Sequence, residues 1–262
     1  MNTESSIDEV QIQKAADIIR ESLRVVVLTG AGISAESGIP TFRDMNGLWE
    51  GHSVEEVATP RGWEKNPHLV WQFYHARRER LCHVQPNPGH YAIARLQELW
   101  KSRFTLITQN VDGLHQKSGN HDVLELHGSL YRTRCTTCGE IVTHSLDPLA
   151  AMPRCKTCEG LLRPDIVWFN ESLPEPIWTK AVEAVNQANV LLVVGTSALV
   201  YPAASLIPLV RVHHKSRHHN PFGKAIEINL KSTEMSPEVD LGLYGPAGVI
   251  LPKLVEYIEK KV

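Results

Sequence analysis

The sequence predicts an α/β protein: a parallel sheet with helices on both faces, joined to a smaller helical and cysteine-bearing module. Three observations predict it. Short apolar, β-branched runs alternate with stretches of helical periodicity. Every run ends in small or polar residues. Two segments interrupt the alternation, and one of them carries four of the five cysteines.

The elements follow in chain order. Ser6 and Glu9 form a capping-box pattern, after which Ile12, Ala16, Ile19 and Leu23 recur at helical spacing. Residues 25–28 read as a buried strand ending in Thr29-Gly30-Ala31-Gly32-Ile33-Ser34. A second strand, 104–108, ends in Gln109-Asn110-Val111-Asp112. A third, 123–126, ends in His127-Gly128. The fourth, 190–194, ends in Gly195-Thr196-Ser197, and the fifth, 225–228, ends in Asn229. Near-continuous apolar strands are those of a parallel sheet buried on both faces. In open α/β sheets, ligands bind outside the carboxyl ends of the strands. The alternation therefore assigns residues 1–43, 100–132 and 163–262 to a Rossmann-like nucleotide-binding domain. Residues 44–99, which look helical with no strand, and residues 133–162, with the paired cysteines, form the smaller module.

A chain of 262 residues is long enough for one large domain and such a module. Its formal net charge of −2 gives no general affinity for nucleic acid or anionic membrane. The first residues are polar and acidic, without the basic and apolar regions of a secretory signal. No apolar run approaches the ~20 residues of a membrane span. A cytoplasmic protein without membrane or nucleic-acid contact is expected. Unpaired cysteines suit that reducing compartment.

Gly30-Ala31-Gly32-Ile33-Ser34-Ala35 fits G-x-G-x-x-G/A directly after a strand. Glycines there let backbone approach a pyrophosphate at a helix N-terminus. The second strand with an acidic ribose ligand, about 20 residues on, is missing. The chain runs instead into Gly38-Ile39-Pro40-Thr41-Phe42-Arg43, where Arg43 could face phosphate charge. This supports dinucleotide binding and argues against hydride transfer.

Cys135-x-x-Cys138 and Cys155-x-x-Cys158 have the spacing of a Cys₄ zinc site. Four thiolates leave no open position, so the site is expected to be structural. Such binding can supply ~10–16 kcal/mol to a module without a large core. Reduced cysteines without metal, or a redox C-x-x-C, explain two turn-rich pairs less well. Cys82 stands alone, an incidental thiol on a helical stretch.

Taken alone, a histidine after a strand is more often structural than catalytic. Tyr74 and Arg77 are three apart, and so share a helix face. A phenol and a guanidinium together can clamp a carboxylate. The bland alternative is an exposed arginine, and spacing does not exclude the neighbouring Arg78.

In order along the chain, these motifs resemble the sirtuins, NAD-dependent lysine deacylases. The matching segments are 30–34, 38–43, 108–112, His127-Gly128, both cysteine pairs, Val167-Trp168-Phe169, Gly195-Thr196-Ser197 and Asn229. They cover the chain from about Leu23 to Leu251. The resemblance implies NAD contacts at Gly30, Ala31, Gly32, Ser34, Thr41, Phe42, Arg43 and Trp49. Gln109, Asn110, Val111 and Asp112 would line the nicotinamide and ribose pocket. Gly195, Thr196, Ser197, Asn229, Leu230, Lys231 and Ala247 would hold the adenosine half. It implies catalytic roles for Asn110 and for His127, the general base. The acyl oxygen would attack C1′ of the ribose and nicotinamide would leave; His127 would help deprotonate a ribose hydroxyl, which attacks the imidate carbon, and water would complete the release. The products would be free lysine, nicotinamide and O-acyl-ADP-ribose.

The backbone of Val167 and Phe169 would pair with an acylated protein segment, adding a strand. Asn170 follows where many members have Gly, and Val111 stands where many have Ile. Tyr74, Arg77 and Ala58 match the class III sirtuins, whose Y-x-x-R pair binds the carboxylate of succinyl-, malonyl- or glutaryl-lysine. Ala58 would leave room for that longer chain. The resemblance selects Arg77 over Arg78. The expected protein is a monomer acting on acylated protein lysines, with deacetylation as a second capacity. The rivals are mono-ADP-ribosyl transfer and, from another class, a zinc-knuckle binding module. The segment containing His213, His214, His218 and His219 looks longer than usual in the family and reads as a solvated loop.

Overall fold

The computed structural model describes residues 8–41, 48–49, 51–212 and 223–260, with backbone alone at 48–49. The chain opens with α1 (Glu9–Arg20), β1 (Val25–Thr29) and a single turn, α2 (Gly32–Ala35). A hairpin of β2 (Leu48–Trp49) and β3 (His52–Ser53) leads into α3 (Val54–Val57), α4 (Pro60–Lys65), α5 (Pro67–Leu81) and α6 (Pro88–Trp100). Then come β4 (Phe104–Thr108), α7 (Leu114–Lys117), β5 (Leu124–Glu125), β6 (Gly128–Cys135), β7 (Ile141–Thr143) and β8 (Leu162–Ile166). The last elements are α8 (Glu175–Gln187), β9 (Val190–Val194), α9 (Leu206–Leu209), β10 (Lys224–Asn229), β11 (Leu241–Tyr244) and α10 (Ala247–Glu259). The N-cap expected at Ser6 falls outside the described residues. Asp8 caps α1, its carboxylate accepting from the amides of Val10 and Gln11.

Six parallel strands make the main sheet, in the order β11-β10-β9-β1-β4-β5. Successive side chains on a strand point to opposite faces. Val25 and Val27 therefore join a core with α1, α6 and α10. Val26 and Leu28 join a core with α8 and α9 on the other face. Full burial of each such side chain stabilises the fold by about 1.5–3 kcal/mol. The connections diverge between β1 and β9, which opens a crevice at the carboxyl ends of the sheet centre.

The smaller module has a second sheet, antiparallel, in the order β7-β6-β8. It packs with α3 and α5 around a core of Val57, Val70, Trp71, Phe73, Tyr74, Leu130, Leu162 and Trp168. The boundaries differ from those expected. The segment 44–99 is not strand-free, since it contains the β2–β3 hairpin. It also does not belong wholly to the module: Ala92, Ile93, Leu96 and Trp100 of α6 pack in the main core. The second insertion is longer than 133–162, because its sheet runs from Gly128 to Ile166. Among the described residues, no helix is long and apolar enough to cross a membrane.

Candidate functional site

The site forms where β1, β4, β5, β9 and β10 end. Strand register brings Thr29, Thr108 and Val194 level, so the loops that follow them emerge side by side. The loop after β1 is locked to the loop after β9. Gly30 N–H donates to the Val194 carbonyl at 3.0 Å and Gly32 N–H to the Gly195 carbonyl at 2.7 Å. Gly195 has φ +59°, and a Cβ there would lie 2.4 Å from the Ile33 nitrogen. The two loops touch backbone to backbone, and a side chain at Gly195 would force them apart.

A hydrogen-bonded chain crosses the floor of the crevice. Asn110 Nδ2 donates to Ser34 Oγ at 3.1 Å, and Ser34 Oγ donates to Asp112 Oδ2 at 2.8 Å. The other Asp112 oxygen accepts from Leu114 N at 2.9 Å. Burial pushes the Asp112 carboxyl up. The Leu114 amide, the Ser34 hydroxyl and the Arg77 charge oppose that rise. His90 and His115 lie beneath, fully buried with ring centroids 5.0 Å apart. Burial holds His90 down at about 4 and His115 at about 3, so both stay neutral. His115 Nε2 lies 2.9 Å from Thr29 Oγ1, which donates to Thr108 Oγ1 at 2.8 Å.

His127 stands between β5 and β6, at the junction of the two sheets. Its Nδ1 is 3.0 Å from the Gln109 carbonyl. A carbonyl only accepts, so Nδ1 carries the proton and Nε2 keeps its lone pair. Burial lowers the His127 pKa, with the Gln109 hydrogen bond opposing. A histidine kept neutral with a free Nε2 can accept a proton.

Four of the residues expected on the adenosine side, Gly195, Asn229, Leu230 and Ala247, come together around a small hollow. Gly32, Gly195, Asn229, Leu230 and Ala247 line it. Asn229 Nδ2 donates to the Thr196 carbonyl at 2.8 Å, and its Oδ1 accepts from Leu230 N at 3.0 Å. Gln109 Nε2 donates to Thr196 Oγ1 at 3.1 Å. Ser197 is half-buried beside them and Lys231 is exposed. Ala31 and Thr41 are half-buried. Phe42, Arg43, the Trp49 side chain and the histidine-rich segment 213–222 lie outside the described residues.

On the module side, Val167 N–H donates to the His127 carbonyl at 2.9 Å and Phe169 N–H to the Ala58 carbonyl at 2.9 Å. Phe169 is exposed and Val167 half-buried, so this stretch rims the crevice. At Asn170, where many members have Gly, the backbone has φ +69°, a conformation that asparagine adopts more readily than most residues. Ala58 is buried at the end of α3.

The two arginines of α5 have separate environments. Arg78 is buried and donates to the backbone carbonyls of Leu130, Ser145 and Asp147. Arg77 is half-buried, its guanidinium carbon 5.6 Å from the Phe73 ring centroid and 5.8 Å from that of Tyr74. Tyr74 is fully buried, and its hydroxyl accepts from Trp168 Nε1 at 2.9 Å. Burial pushes the Tyr74 phenol up to about 12, so it keeps its proton. Sequence reasoning missed this tryptophan partner. It also missed Arg163, which stacks 3.4 Å from the Trp168 ring centroid and is forked onto Glu171. No local pattern marks either.

The four paired cysteines converge. Their sulfurs all lie within 4.8 Å of one another, with Cys135–Cys158 at 3.5 Å and Cys138–Cys155 at 3.7 Å. A tetrahedral zinc with Zn–S near 2.3 Å sets sulfurs about 3.8 Å apart, so the set fits. Each pair sits on the same kind of knuckle: Gly139 N–H donates to the Cys135 carbonyl, and Glu159 N–H to the Cys155 carbonyl. Among the described residues this is the one cluster able to hold a metal ion, and none of the crevice residues named above belongs to it.

The model of the Sir2 family matches residues 30–202. The chain is 47% identical over 247 residues to NAD-dependent protein deacylase 2 of Pyrobaculum aerophilum, covering 94% of this chain and 96% of that protein. A crystal structure of a Sir2 homologue–NAD complex superposes with a TM-score of 0.85 at 42% identity, covering 100% of this chain and 97% of that one. The structure of Sir2Af2 bound to a myristoylated histone peptide gives a TM-score of 0.75 at 34% identity, covering 97% and 98%.

Proposed function

The chain belongs to the Sir2 family, and from that premise we propose an NAD-dependent protein lysine deacylase that prefers acyl groups ending in a carboxylate, such as succinyl and malonyl. The deacylase activity is carried by the family and by the relative's own activity. NAD is read as the substrate of the crevice between β1 and β9, as in the NAD-bound homologue. The zinc would be structural: Cys135, Cys138, Cys155 and Cys158 would hold it with four thiolates, leaving no open position for chemistry.

The chain's own groups divide the work. Backbone of the two glycine loops faces the phosphates. Asn110, Ser34 and Asp112 hold the ribose and nicotinamide end through one hydrogen-bonded chain. His127 Nε2 accepts the proton of a ribose hydroxyl. The 167–169 stretch pairs with the peptide bearing the lysine.

The single observation that carries the acyl preference is the division of labour on α5. Arg78 is committed to three carbonyls, whereas Arg77 lies beside Tyr74 and its charge reaches Asp112. A protonated phenol and a half-buried guanidinium side by side suit a carboxylate. The myristoylated peptide of Sir2Af2 favours a second reading, a pocket for long apolar chains, to which Phe73 and Ala58 would contribute. Incubation with NAD and matched succinyl-, malonyl-, acetyl- and myristoyl-lysine peptides separates the two. Mass spectrometry should show O-succinyl-ADP-ribose forming fastest. Faster removal of myristoyl would replace the carboxylate reading. ADP-ribosylated protein as the main product would replace deacylation itself.

A further inference from the structure

His127 ends one segment and Val167 begins another, and the chemistry proposed above needs a fixed distance between them. One hydrogen bond joins them directly, Val167 N–H to the His127 carbonyl. A second device lies two residues back on each side. Arg132, on β6, reaches Glu125 Oε2 with Nη1 at 2.5 Å and Asp165 Oδ2 with Nε at 2.9 Å. Glu125 precedes His127 by two residues, and Asp165 precedes Val167 by two. The fork of one guanidinium thus ties the segment carrying the base to the segment carrying the peptide.

The surroundings make this a tight joint. The carboxylates of Asp165 and Glu125 have side-chain exposures of 7% and 10%, so neither charge could be left without a partner cheaply. Arg134 donates to the other Asp165 oxygen through Nε and Nη2, and Gln116 donates to the other Glu125 oxygen. At Gly128, φ is +82° and a Cβ would lie 2.0 Å from the Asp165 carbonyl oxygen, so the two backbones are in contact. None of Arg132, Glu125, Asp165, Arg134 and Gln116 is among the residues proposed for NAD.

We propose that Arg132 is a positioning residue, which fixes the register of the general base against the acyl-peptide strand. The proposal rests on the deacylase reading. A misplacement of about 1 Å at a reacting centre can cost ~10²-fold in rate. Arg132→Met removes the cation shared by the two carboxylates and leaves the Val167–His127 hydrogen bond to hold the two segments in register. Arg132→Lys keeps the charge but, as a point donor, spans only one carboxylate at a time.

The test uses the full-length, zinc-loaded protein with NAD and its best acyl-lysine peptide. For Arg132→Met, kcat/KM for the peptide is expected to fall about 10²-fold, while KM for NAD stays within about two-fold. Arg132→Lys should recover part of the loss, and Asp165→Asn, the second variant should Arg132→Met fail to fold, should show the same fall in peptide kcat/KM. Arg95→Met, which removes an exposed ion pair far from the site, is the control. Hydrogen exchange supplies a readout independent of turnover. Amides of 126–129 and 165–169 should exchange faster in the Arg132 variant, those of 190–195 unchanged. An unchanged peptide kcat/KM, an equal loss on KM for NAD, or unchanged exchange in both segments would overturn the proposal. A wild-type protein inactive on every acyl peptide would sink the deacylase reading instead, and the exchange result would still decide the role of Arg132 in the joint.

Discussion

Gly30, Gly32 and Gly195 make a wall of backbone at the main sheet; Tyr74, Arg77 and Trp168 make a wall of side chains in the module, the one proposed for the acyl group. The first wall stands on a sheet buried on both faces, where β1, β9 and β10 are apolar throughout save Thr29, Glu227, Asn229 and the exposed Lys224. The second stands on a module whose strands read Gly128–Cys135 and Leu162–Ile166, half of them polar. Four thiolates and the Arg132–Asp165–Arg134 ion pairs supply the rigidity its smaller core does not. A backbone wall leaves little to vary and suits a ligand that never changes. A side-chain wall can be retuned by single substitutions, which suits the variable acyl group.

The predictions break this contrast in turn, from the largest effect down. Removing the metal by strong chelation, or Cys155→Ser, should abolish peptide turnover because metal binding is much of the module's folding energy. NAD binding by the main sheet, followed calorimetrically, should persist; its parallel loss would show that the walls are not independent. Next, His127→Asn should lower kcat by ~10²–10⁴, with KM for NAD little changed in steady-state assays. Gly195→Ala strikes the backbone wall. Its Cβ meets the Ile33 nitrogen at 2.4 Å, so KM for NAD should rise at least ~10-fold, for every acyl peptide alike.

The smallest effects are those of pH. The His127 pKa lies below its ordinary 6.5, so the acid limb of kcat/KM should fall below that pH, as protonation removes the base. His90 and His115 are depressed to about 4 and about 3. The unfolded chain binds their protons first, so their contribution is complete above about pH 6.5 and declines as pH falls toward 4 and 3. Thermal unfolding between pH 7.5 and 5 should show Tm decreasing over that window.

Legibility in the sequence follows the same contrast. The strands of the main sheet are continuous apolar runs, and 104–108 and 190–194 coincide with β4 and β9. Among the described residues, Gly30, Gly32, Gln109, Asn110, Gly195, Thr196 and Asn229 meet at one crevice because parallel strands in register must release their loops together. β11 escaped notice because Leu241-Gly242-Leu243-Tyr244 is four residues long, contains glycine and lies on an edge. The module sheet escaped because its strands are held by charges: Arg132, Arg134 and Asp165 give no apolar alternation. α6 was grouped with the insertion because no strand separates it from α5. Arg77 and Arg78 differ by one position, so spacing does not separate them, whereas the packing of Arg78 on Leu130 and the Ser145–Asp147 turn does. The Trp168–Tyr74 bond spans 94 residues, beyond any local pattern.

The side-chain wall is proposed to read a carboxylate. Arg77→Met, assayed against succinyl- and acetyl-lysine peptides of one sequence, tests it most directly. Loss of a charge-paired contact should lower kcat/KM for the succinyl peptide by at least ~10²-fold and leave the acetyl peptide within a few-fold of wild type. Equal loss on both peptides, or none on either, would contradict it.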